Sequence, residues 1–124
     1  DGNTVAIAGQ KDTGQSYARA TNAIWLLGPT GELRSVETPP QQGRNPSWSP
    51  DGRRLAFTST RGNPQQLAGV FIIAPDGTGL RQVTISDLHA SHPVWSPDGK
   101  RLVFSARLSK NPSQRGIAIV DIAP

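Results

Sequence analysis

Apolar residues in this chain come in short clusters separated by Gly, Pro and Asp, a spacing that predicts strands rather than helices. Arg54–Thr58 combines β-prone residues with period-2 spacing. Val70–Ala74 is a continuous apolar run, the pattern of a strand buried on both faces. Leu80–Thr84 is more polar and suits an outer edge. Between the first two of these lies a polar loop of about ten residues, and between the last two the turn sequence Pro75-Asp76-Gly77-Thr78-Gly79.

The pattern repeats. Pro46–Phe57 and Pro93–Phe104 are identical at nine of twelve positions, and the same 47-residue offset carries Gly69–Ile73 onto Gly116–Val120. A weaker copy opens the chain: residues 1–8 match 51–58, and 24–36 match 70–83. Each full unit reads as a short strand ending in Trp (Trp48, Trp95), a Ser-Pro-Asp-Gly turn, and then the strands above. Proline pre-sets φ in such a turn and Gly accepts the positive φ that follows, so the motif is structural. Four short antiparallel strands repeated every 40–50 residues make a β-propeller blade. The expected fold is therefore all-β, a propeller of four-stranded blades of which about three are present. The blades divide at 1–42 (without its innermost strand), 43–89 (complete) and 90–124 (without its outermost strand). The Trp and Phe of each unit are expected to fill the space between blades.

The sequences PSWSPDGRRLAF and PVWSPDGKRLVF, with the later Asp76-Gly77 and the Leu80–Thr84 ending, resemble the WD40-like (PD40) repeats of the TolB family. The likeness covers nearly the whole chain. It implies a propeller that is usually six-bladed, so three blades are expected to be part of a longer chain, or to be completed by another subunit. It also implies a protein or peptide partner and a periplasmic or extracellular location. Such propellers host several unrelated activities, so the resemblance speaks to fold more than to function.

Composition narrows the function classes. The 124 residues are 35% hydrophobic and 18% charged, with 13 Gly and 11 Pro, which suits many turns. The net charge is +4, from 13 basic and 9 acidic residues. The cations are scattered, paired only at Arg53-Arg54 and Lys100-Arg101, without the clustering that a nucleic-acid groove needs. Absence of Cys removes disulfides, thiolate metal sites and a Cys nucleophile. No apolar run is long enough for a membrane-spanning helix.

Within these residues there is no Gly-x-Ser-x-Gly elbow and no phosphate-binding Gly-x-x-x-x-Gly-Lys-Ser/Thr sequence. Asp87, His89 and His92 could ligate a metal. However, His92 fills the pre-proline slot that Asn45 holds in the previous unit, which favours ordinary hydrogen bonding and neither metal nor cofactor. Ligand contacts are expected on the face opposite the Ser-Pro-Asp-Gly turns, from segments 9–22, 37–45, 59–68, 85–92 and 106–115, which vary between copies while the turns do not. The candidates are Asn45, Arg61, Gln65, Gln66, His89, His92, Arg107 and Arg115. The expected function is non-catalytic binding of a protein or peptide through this loop face. A propeller attached to a prolyl-oligopeptidase-type serine peptidase ranks second, and a metal-dependent polysaccharide lyase third.

Overall fold

The computed structural model describes residues 4–9, 23–36, 43–63, 67–85, 88–108 and 114–123. Among them there are only strands and turns, arranged as three antiparallel sheets. The first sheet orders β1 (Val5–Gly9), β2 (Ala23–Leu27) and β3 (Leu33–Ser35). The second orders β4 (Arg44–Trp48), β5 (Leu55–Ser59), β6 (Gly69–Ile73) and β7 (Arg81–Gln82). The third contains β8 (Leu88–Trp95), β9 (Arg101–Leu108) and β10 (Arg115–Asp121).

The second sheet is buried on both sides because its two central strands are apolar on both. Leu55, Phe57, Phe71 and Ile73 pack with Ile24, Leu26 and Val36 of the first sheet. Ala56, Val70 and Ile72 point the other way, onto Ala90, Trp95, Leu102 and Phe104 of the third. Burying a side chain of this size is worth about 1.5–3 kcal/mol. Trp48 packs at the first seam and Trp95 at the second, so the repeated indoles do plug the spaces between blades. β7 spans only two residues where five were expected, since Val83 leaves the ladder after donating its N–H to the Val70 carbonyl. In the other direction, β8 begins at Leu88 and β9 runs to Leu108, so strands extend furthest into the expected loops 85–92 and 106–115.

The repeated turns are identical in detail. Ser49 N–H donates to the Arg54 carbonyl, and Gly52 N–H, at φ 72°, to the Ser49 carbonyl. The Asp51 carboxylate accepts from Ser49 Oγ at 2.6 Å and from Arg53 N–H at 3.0 Å. Ser96, Asp98, Gly99 and Lys100 reproduce every one of these bonds. All turns of this kind lie at one end of the sheets, and the β5–β6 and β9–β10 connections lie at the other. These are called the turn end and the loop end below.

Candidate functional site

Two innermost strands, β4 and β8, each carry a bulge just before a proline. The bulged residues Asn45 (φ 51°) and His92 (φ 58°) are the only non-glycine residues with positive φ among those described. A left-handed conformation costs such residues about 1–2 kcal/mol. Part of that cost is offset across the seam, where His92 N–H donates to Thr58 Oγ1 of the second sheet at 3.1 Å. The His92 ring is exposed, with Nδ1 2.9 Å from Ser91 Oγ. The bulge thus aims an imidazole away from the seam, and the same device in β4 serves Asn45.

His89 is held differently. Its Nδ1 accepts the Ala68 N–H at 2.9 Å, so the neutral ring carries its proton on Nε2. Partial burial, and then the charges of Arg107 and Arg115, hold the imidazole below its ordinary value of 6.5. The register explains that coupling: His89 is paired with Arg107 on β9, and Arg107 with Arg115 on β10. Three of the sequence-predicted residues therefore form one row across the third sheet. Arg61, also at the loop end, lies over the rings of Phe57 (5.0 Å) and Phe71 (5.4 Å) and donates from Nε to Ser59 Oγ. It caps the first seam, a packing role that its polar surroundings in the sequence do not reveal. Gln65 and Gln66 lie outside the described residues.

Among the described residues, charge is segregated between the two ends. Glu32, Asp51, Asp76, Asp98 and Asp121, which are all the described carboxylates, sit at the turn end, interleaved with Arg34, Arg53, Arg54, Arg81, Lys100 and Arg101. The described charges at the loop end are all basic: Arg44, Arg61, Arg107 and Arg115, beside the two imidazoles. No group of three or more His, Asp or Glu that could hold a metal occurs among the described residues.

The turn end has a feature that was not anticipated. A cleft of about 530 Å³ opens between the second and third sheets, lined among others by Asp51, Arg54, Asp98, Lys100, Arg101 and Asp121. Its two arginines are already engaged. Arg54 donates to the Ala123 carbonyl at 2.8 Å and lies over Trp95, and Arg101 pairs with Asp121 at 3.3 Å. The only trace of this cleft in the sequence is the basic pair after each turn.

Comparisons with known proteins agree with this architecture. No family model matches the chain. The Tol-Pal system protein TolB of Syntrophus aciditrophicus (strain SB) is 42% identical over 53 residues, which is 42% of this chain and 11% of that protein. A solved TolB from Agrobacterium tumefaciens superposes with a TM-score of 0.73 at 25% identity, covering 97% of this chain and 39% of that one. This chain carries TolB-like β-propeller repeats. TolB from Acinetobacter baumannii, at 19% identity, shares the fold with a TM-score of 0.74 over 98% of this chain and 28% of its own. An oligogalacturonate lyase in complex with manganese shares it too, at 19% identity and a TM-score of 0.68. The TolB-like chain thus spans well under half the length of these relatives.

Proposed function

We propose that the chain is part of a non-catalytic TolB-like propeller that binds a protein or peptide partner through its loop end, outside the cytoplasm, in the periplasm. The observation that carries this reading is the segregation of charge. Among the described residues, the loop end presents only basic groups and imidazoles, with Asn45 and His92 on strained bulges, and the described carboxylates lie at the opposite end. Backbone strain of this kind tends to persist where a side chain is being aimed. The curated relative is named for the Tol-Pal system, which supports a partner of protein nature.

The reading includes blades at 1–42, 43–89 and 90–124, with further blades packed on the exposed apolar faces. Ile117 and Ile119 are 73% and 63% exposed, whereas their repeat equivalents Val70 and Ile72 are 0% and 2% exposed beneath the third sheet. An adjoining blade with the same Trp, Leu and Phe positions would cover them alike.

The test is site-specific photo-crosslinking in the full-length protein. A photoreactive residue at Asn45 or His92 is expected to yield a discrete protein adduct, and one at Lys100 none. An adduct from Lys100 alone would move the interface to the turn end and overturn the reading.

A further inference from the structure

We infer that His89, Arg107 and Arg115 form a carboxylate-binding row that takes an acidic segment of a peptide partner. The inference rests on the loop-end reading above and names the chemistry recognised there.

The row is built by register. His89, Arg107 and Arg115 occupy paired positions on β8, β9 and β10. Neighbouring strands are about 4.8 Å apart, so the three side chains span about 10 Å from the innermost strand outward. Two of them are guanidiniums directly opposite each other, an arrangement that disfavours the sheet through like-charge repulsion. Neither guanidinium makes an ion pair or hydrogen bond to another described residue. The scaffold does not demand them either. The 47-residue offset places Thr60 and Ala68 at the equivalent positions of the second blade, and that blade folds around them; Ala68 is buried against the third sheet, so the row stands at the loop-end edge of the face that an adjoining blade would cover.

His89 completes the row as a donor. Its Nδ1 is occupied by the Ala68 N–H, which fixes Nε2–H as the free donor of the neutral ring. The row therefore offers two guanidinium forks and one imidazole N–H, with no described acceptor among them. Planar carboxylates match guanidinium forks in a bidentate manner, and an extended chain carrying several of them can follow a row of this length. The described charges at the loop end are all basic, an arrangement that favours encounter with an acidic segment.

The experiment uses the full-length protein and a fluorescein-labelled glutamate-rich decapeptide, followed by anisotropy. A decapeptide with Gln at each Glu serves as the neutral control. The double variant Arg107→Gln/Arg115→Gln is expected to bind the acidic peptide on the order of tenfold more weakly, as does the parent protein with the neutral peptide. His89→Gln, which keeps an N–H donor, is expected to lose less than His89→Leu. Lys100→Gln/Arg101→Gln at the turn end is expected to leave binding unchanged. Equal affinity of the double variant and the parent would overturn the proposal. So would a fall in Tm without a change in affinity, which would mark the two arginines as partners of an adjoining blade. Displacement of the peptide by an equal concentration of inorganic phosphate would identify a generic anion site and remove the peptide assignment. If the crosslinks at Asn45 and His92 survive in a double variant of unchanged affinity, the loop-end reading stands and the carboxylate row alone falls.

Discussion

Trp95 donates its indole N–H to the backbone carbonyl of Ser47 at 3.0 Å, tying the innermost strand of the third sheet to that of the second. Trp48, its counterpart one repeat earlier, has a buried Nε1 with no hydrogen-bond partner among the described residues. An orphaned buried N–H in a native fold calls for an acceptor. The repeat says where it belongs: on an innermost strand beside β1, at the position equivalent to Ser47. In the full-length protein the Nε1 proton of Trp48 is therefore expected to exchange with solvent as slowly as that of Trp95, by indole-resolved NMR. Fast exchange at Trp48 alone would show that no strand occupies that slot. Trp95→Phe leaves the Ser47 carbonyl without its partner and is expected to cost about 1–3 kcal/mol in chemical denaturation.

The seam bond from His92 N–H to Thr58 Oγ1 makes a second prediction. Thr58→Val keeps the shape and removes the acceptor, so the partly buried His92 N–H loses its partner at a cost of about 1 kcal/mol. Ser105 occupies the equivalent position in the third blade. Ser105→Ala is expected to match that loss only where an adjoining blade brings its own bulge N–H to the hydroxyl. Urea midpoints of the two variants in the full-length protein make the comparison.

Much of this fold was legible because the repeat states each strand and turn more than once. The Ser-Pro-Asp-Gly turns, the seam-filling indoles and the doubly buried Val70–Ile73 run all follow from residue type and spacing. The site was only partly legible. His89, Arg107 and Arg115 stand out as departures from the repeat, but their alignment depends on strand register, which the 47-residue offset does not supply. Arg61 looked like a free loop cation because the stacked Phe57 and Phe71 that hold it meet only when β5 pairs with β6. The bulges at Asn45 and His92 were hidden because a residue before proline is ordinarily extended, not left-handed.

Acid should weaken the turns in a defined direction. Hydrogen bonds from Ser49 and Ser96, then from the N–H groups of Arg53 and Lys100, hold the Asp51 and Asp98 carboxyls below their ordinary 3.8. With a folded pKa below the unfolded one, the unfolded chain binds more protons in that range. The contribution is therefore complete above the ordinary value and lost as pH falls through the depressed folded value. Asp98→Asn keeps an acceptor oxygen, so its Tm is expected to fall less than that of Asp98→Ala at pH 7. The gap between Asp98→Asn and the parent should narrow when the melts are repeated below pH 3.8.

His89 should give a separate transition at milder pH. Its folded pKa lies below 6.5, so here too the unfolded chain binds more protons as the solution is acidified. Protonation would also place a hydrogen on Nδ1 against the Ala68 N–H, removing the acceptor that His89 gives this amide. Stability is then expected to decline as pH drops from 6.5 through the folded value, before the aspartates begin to titrate. His89→Gln is expected to remove that decline while leaving the acid transition of the turns in place. The check is Tm measured at half-unit steps between pH 7.5 and pH 4.5, a window chosen to bracket the ordinary imidazole value of about 6.5. An unchanged slope in His89→Gln would assign the decline to another group and detach Ala68 from the titration.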